Sequence, residues 1–416
     1  MRAPMLRSLP RPPTPRNPIT DLRGGSRLAV DAVTGITDLV QTLHATIARG
    51  PLALAGPQAG GAVAAITGLV YGSVRGITRA VGGGIDLALG ASAPALGRIE
   101  SSPRREALVA ALNGVLGDHL AATGNPLATP MRLRRDGMPL LPSRESLGAA
   151  FAAPSGHLLL LVHGLCMNDL AWQRHGCDHG DVLARQLQAS RIDVHYNTGL
   201  HISTNGHALA QLLEALVAAW PVQVQQITIV GHSMGGLVAR SAHHAAQSAG
   251  LRWAGTLRNL VFLGTPHHGA PLERGGNWID LLLEQTPYTA PFARLGKIRS
   301  AGITDLRHGL VLDQQWQGRD RFAGRGLPPA GVPLPQGVRC FTVAATTGAS
   351  DDRLRHRLLG DGLVRVPSAL GEHPDPRRAL AFPPGHSWIA RRCSHLDLLG
   401  SDAVCRQMLA WLAPER

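Results

Sequence analysis

The most constraining stretch of this chain is Ile227-Thr228-Ile229-Val230 running directly into Gly231-His232-Ser233-Met234-Gly235-Gly236. A β-branched strand stops at a glycine, a serine takes the tightest point of the turn, and a small-residue helix, Leu237 to Ala242, begins at once. Such a turn forces strained φ/ψ on the serine, and glycines two before and two after it let strand and helix backbones pass without a Cβ collision. Ser233 Oγ is thereby expected above the edge of a sheet. The Met234 N–H, at a helix N-terminus, would face an oxyanion formed there. Gly-x-Ser-x-Gly arises readily in a chain with 49 glycines, so the flanking strand and helix carry the weight.

From Gly156 onward, strands alternate with helices, the mark of a parallel sheet covered on both faces. Strands are expected at 157–162, 192–196, 226–230, 259–263, 339–345 and 387–391, and helices at 170–190, 206–220 and 403–412. About 70 residues separate the strand ending at Leu263 from the one starting at Arg339, where such a connection needs far fewer. The excess, 271–336, holds Trp278, Tyr288, Phe292 and Trp316. It is read as a cap, because insertions at the carboxyl ends of strands surround the ligand crevice; an inert surface insertion is the alternative.

A serine hydroxyl needs a base within hydrogen-bond reach, and the base needs a group that fixes its tautomer. Among 19 histidines His395 is the best placed, on a loop between the last expected strand and the C-terminal helix; His386 and His373 are alternatives. For the acid, Asp361 lies in Gly360-Asp361-Gly362-Leu363-Val364, whose glycines allow a turn back to the sheet edge. Asp397 is the rival, and is read as a cap of the following helix. A second oxyanion donor is expected at the Leu165 N–H, just past His163-Gly164. His163 itself is read as a hydrogen-bonded structural histidine.

Five motifs fall in register over about 240 residues: Val162-His163-Gly164-Leu165, Gly231-His232-Ser233-Met234-Gly235, Gly264-Thr265-Pro266-His267-His268-Gly269, Gly360-Asp361-Gly362-Leu363-Val364 and Ser394-His395-Leu396-Asp397-Leu398-Leu399. On these, the chain from about residue 156 to its end resembles an α/β-hydrolase of the lipase and esterase type. The resemblance implies an α/β fold: a mostly parallel sheet with helices on both faces and a cap insertion. It also implies a serine hydrolase of hydrophobic carboxylic esters that works through an acyl-enzyme. Ser233 would be the nucleophile, His395 the base and Asp361 the orienting acid, with Leu165 and Met234 amides as the oxyanion hole. His267-His268 would sit on the rim. Thioester cleavage and acyl transfer share the same parts. No cofactor is implied. His175, Cys177, Asp178, His179 and Asp181 match no zinc spacing, and no metal is expected there.

The resemblance is silent on the first 150 residues. Residues 1–20, proline- and arginine-rich, are expected to be a disordered tail, 21–130 an N-terminal helical region, 131–155 a linker, and 156–416 the catalytic domain. Within the helical region a helix from 28 to 47 should end at Gly50-Pro51, helices at 62–82 and 83–97 should follow, and another at 105–122. The uncharged run from Gly50 to Val74 is long enough for a bilayer span, but Pro51, Pro57 and its Ala and Gly content favour amphipathic helices. These would pack on the catalytic domain or lie on a lipid surface, with Arg75 and Arg79 at the headgroups. Hence a second expectation: a membrane- or lipid-granule-surface-binding protein whose hydrolase domain is a secondary thioesterase or acyltransferase, or inactive.

A net charge of +13 would fit nucleic acid or an anionic membrane. Yet Lys297 is the single lysine, the arginines are scattered, and no nucleic-acid motif is present, so no nucleic-acid partner is expected. Five dispersed cysteines without a C-x-x-C pair fit a reducing compartment. With no apolar signal-type core near Met1, a cytoplasmic enzyme, free or peripheral on a lipid surface, is the expectation.

Overall fold

The computed structural model describes residues 14–16, 18–55, 57–92, 99–174, 176–270, 300–318, 331–348 and 360–413. Most of the expected tail, and 271–299 and 319–330 of the expected cap, lie outside these residues. By its internal contacts the chain divides into a unit of Pro15–Glu100 with Leu120–Ala128, and a larger unit that includes Ser101–His119 and everything from Thr129.

In the smaller unit, helices α1 (Pro18–Ala55) and α2 (Pro57–Ser92) run antiparallel. Arg23 and Arg27 reach Asp86, and Arg75 reaches Asp38 at 2.7 Å. Gly50-Pro51 does not end α1, which continues through both residues to Ala55. Nor do Gly82 to Gly84 divide α2. Gly82 lies against Val30, where a Cβ would meet a methyl at 2.3 Å. Val70, Val74, Ile77 and Val81, spaced four, three and four apart, form an exposed apolar stripe on α2. Among the described residues no helix is long and apolar enough to cross a membrane.

Helix α3 (Pro103–Ala122) opens the larger unit, where Gly117 O accepts from Asn197 Nδ2 at 2.9 Å. The expected linker is instead sheet and helix: β1 (Arg132–Arg135) and β2 (Met138–Leu140) form a hairpin, followed by α4 (Arg144–Ala150). The hairpin joins the main sheet because Leu133 is fully buried and Arg134, also buried, pairs with Asp169 at 2.9 Å. Burial works against ionisation of Asp169, but the His195 hydrogen bond and the Arg134 charge hold its carboxyl well below the usual range. Residues 131–155 therefore lie within the larger unit.

The remaining elements are β3 (His157–Val162), α5 (His179–Gln186), β4 (Ser190–His195), α6 (Ile202–Ala219), β5 (Gln226–His232), α7 (Met234–Ser248) and β6 (Leu257–Leu263), then α8 (Ala301–His308), β7 (Arg339–Thr346), α9 (Val366–Ala369), β8 (Ser387–Arg391) and α10 (Asp402–Leu412). The eight strands order as 2-1-4-3-5-6-7-8, with β3 through β8 parallel and the β1 hairpin antiparallel at one edge. The period of two sorts the side chains into two cores. Leu158, Leu160, Val162, Ile227, Ile229, Leu260 and Phe262 enter one; Leu159, Leu161, Val230, Val261, Leu263 and Val343 enter the other. Apolar on both faces, these strands read as continuous hydrophobic runs, and each fully buried Leu or Val contributes roughly 1.5–3 kcal/mol.

Candidate active site

After β3 the chain builds β4 on one side and then returns to add β5 on the other. The order reverses there, and a crevice opens at the carboxyl ends of β3 and β5. Ser233 and Gly164-Leu165 occupy those two ends. Ser233 has φ 52° and ψ −121°, a strained conformation for a residue with a side chain, and its amide donates to Leu263 O at 2.8 Å. A Cβ on Gly231 would come within 2.6 Å of Gly236 Cα, and one on Gly235 within 2.1 Å of Val162 O. A Cβ on Gly164 would stand 3.1 Å from that of Ser233, so the loop after β3 abuts the serine directly. Met234 is the first residue of α7, and its amide has no carbonyl one turn back in the helix.

His395 Nδ1 lies 2.7 Å from Asp361 Oδ2, both residues being buried. A carboxylate only accepts, so Nδ1–H donates and Nε2 keeps the lone pair a base requires. Asp361 is held in turn: its Oδ1 accepts from the amides of Leu363 at 2.9 Å and Val364 at 2.7 Å. Gly360 permits this tight loop, for at φ 53° a Cβ there would meet Val364 O at 2.1 Å.

Sequence reasoning missed two further supports. His232 Nε2–H donates to the His395 carbonyl at 3.1 Å, tying the histidine loop to the end of β5. The imidazole of His395 also rests over Gly264, where a Cβ would stand 3.0 Å from its Cε1. The x of Gly-x-Ser and the glycine after β6 were the available signals. Ser233, His395, His232 and Leu165 line one cleft, whose walls are otherwise apolar: Met167, Pro266, Ala270, Leu306, Leu363 and Val364.

The rival residues lie elsewhere. His386 Nδ1–H donates to Cys340 O at 3.0 Å, and the ring of His373 packs 5.0 Å from that of His268. Asp397 does not cap α10, which starts at Asp402 with Ser401 as its cap; Asp397 Oδ2 instead accepts from Ser394 N and Oγ at 3.1 and 2.6 Å. His267 and His268 line a separate cavity, and only their neighbour Pro266 reaches the cleft. Of the group 175–181, residue 175 is outside the described residues, Asp178 pairs with Arg191 at 2.6 Å, and His179 Nε2–H donates to Leu398 O at 3.0 Å.

His163 donates from Nδ1 to Gly164 O at 3.0 Å and stacks on Tyr196. Burial pushes its pKa down to about 3, and burial likewise holds His232 and His267 well below the ordinary value. The unfolded chain takes up these protons below pH ~6.5 while the folded one does not, so stability is full above that pH and is lost as pH falls toward 3. His163 alone removes about 1.4 kcal/mol per pH unit in this window, or about 2 kcal/mol by pH 5. Urea midpoints at pH 7.5 and pH 5 test this: the acid midpoint should be clearly lower, and an equal or higher one would contradict buried neutral histidines.

A family model described as a PGAP1-like alpha/beta domain matches residues 154–346. Among solved structures, the mature lipase BlEst2 of Bacillus licheniformis is 17% identical, with 61% of this chain and 91% of that one covered at a TM-score of 0.40. A lipase-esterase related protein from Clostridium acetobutylicum is 13% identical, covering 62% and 94% at 0.33. The RedJ thioesterase of the prodiginine biosynthetic pathway in Streptomyces coelicolor is 14% identical, covering 64% and 92% at 0.34. No curated protein matches the sequence.

Proposed function

We propose that this chain is an α/β-hydrolase of the lipase and esterase type that cleaves hydrophobic carboxylic esters through a Ser233-His395-Asp361 triad. The observation that carries the reading is the 2.7 Å bond from His395 to Asp361 beside a serine held at φ 52° in the same cleft. Ser233 Oγ attacks the acyl carbon while His395 Nε2 takes its proton. The oxygen that becomes anionic is met by the Leu165 and Met234 amides. Collapse expels the alcohol, which receives the proton from His395, and water repeats the sequence on the acyl-enzyme. The apolar walls favour an acyl chain over a polar acid part. A thioester or an acceptor alcohol would use the same steps with a different leaving group or nucleophile. An activity screen of p-nitrophenyl esters from short to long chain tests the reading, with turnover expected on at least one; release no faster than background across the series would overturn it.

The exposed stripe on α2 favours an additional reading, attachment to a lipid surface, which would bring the cleft near its substrate. The full chain should float with anionic liposomes, and a variant with Val74 and Ile77 both changed to Ser should not. A wild-type chain left wholly at the bottom of the gradient would remove this reading.

A further inference from the structure

Two turns beyond Ser233, α7 carries Arg240, which is 4% exposed. Its Nη1 reaches His267 Nδ1 at 3.3 Å and its Nη2 donates to the Val332 carbonyl, while Nε has no hydrogen-bond partner among the described residues. A guanidinium has only donors, so His267 Nδ1 must accept, and the neutral ring carries its proton on Nε2. That Nε2–H is also buried without a partner among the described residues. Two N–H donors are thus withheld from water with nothing to bond, each a cost. The cation itself meets only neutral acceptors, and among the described residues no carboxylate pairs with it. Burial lowers its pKa to about 10, which leaves it charged at neutral pH.

These side chains line a cavity of about 20 Å³, with room for one water-sized group. Half-buried Arg378 and His268 also line it, and among the described residues none that lines it is acidic. A buried cation without a counter-charge is strongly unfavourable, whereas the same cation paired with an anion that also accepts the stranded N–H groups is not.

We propose that this cavity is an oxyanion site, taking one oxygen of a carboxylate or phosphate between Arg240 and His267, with Arg378 as the second cation. The site is separate from the ester cleft, although Pro266 of the cleft wall and His267 of the cavity are consecutive. The proposal stands whether or not the chain cleaves esters.

Thermal unfolding of the full chain in sodium phosphate and in sodium acetate, against ionic-strength-matched HEPES, whose sulfonate is too bulky for the cavity, tests it. A saturable rise in Tm is expected, roughly 5 °C at a hundredfold excess over Kd, and Arg240→Met should abolish it. Sedimentation with phosphatidate rather than phosphatidylcholine vesicles, lost in Arg240→Met, would identify a lipid headgroup as the source. A response to the dissolved salts alone would identify a free anion. No response of the wild type in either arm overturns the proposal, as does an equal response in Arg240→Met; a cavity that holds only water gives the former. Should Arg240→Met fail to fold, ³¹P line broadening of inorganic phosphate by the wild type, reversed by acetate, decides the matter, and its absence counts against the site.

Discussion

Ser233→Ala is expected to lower kcat for the best ester by about 10⁶ while leaving the fold intact, because removing a triad nucleophile costs nearly as much as removing the whole triad. The residual rate, still about 10³–10⁴ above water, would come from the oxyanion donors and substrate binding. Alanine keeps the Cβ and therefore the φ of 52° and its strain. Ser233→Gly makes a sharper control. It should be equally inactive yet more stable than Ser233→Ala by the order of 1 kcal/mol, since backbone strain of this kind costs ~1–3 kcal/mol and glycine relieves it. Stopped assays and thermal melts of the two variants separate chemistry from folding. An alanine variant that retains even a tenth of wild-type turnover would place the nucleophile elsewhere.

Asp361→Asn should lower kcat by about 10⁴, and the hydrogen bonds dictate why. Oδ1 accepts from two backbone amides, so the asparagine oxygen must occupy that position. The amide NH₂ is then forced to face His395 Nδ1, where the carboxylate oxygen stood at 2.7 Å. A donor opposite Nδ1 makes that nitrogen the acceptor and moves the ring proton to Nε2, the atom that must receive the serine proton. Asp397→Asn, by contrast, disturbs a loop contact with Ser394 and should change kcat by no more than a few fold. Loss of turnover in the second variant and not the first would reverse the assignment of the acid.

The legible parts of this chain were those where local chemistry decides. Leu158 to Val162 and Ile227 to Val230 read as strands because they are apolar on both faces, and the turn at Ser233 was written in its glycines. The β1 hairpin was not legible, since Arg132, Arg134 and Arg135 read as solvated linker. Only the fold supplies the carboxylates of Asp169 and Glu106, which make an interior arginine tolerable. The second helix before it was misjudged at Gly82 for a related reason: a residue that breaks an isolated helix can suit one packed against a neighbour. His395 and Asp361 were chosen by position after strands and by family likeness, and nothing in the sequence announces the two amides that grip Asp361. The Arg240 cavity was invisible, because it joins α7, the loop after β6 and Val332, far apart along the chain.

Backbone hydrogen bonds fasten the groups proposed to react. Ser233 N binds Leu263 O, Gly264 N binds Val343 O, and two amides hold Asp361, whereas the cleft walls are side chains such as Met167, Ala270, Leu306 and Leu363. Geometry and selectivity therefore answer to different atoms, and repainting the walls by mutagenesis can redirect which molecules are accepted without loosening the machinery that turns them over.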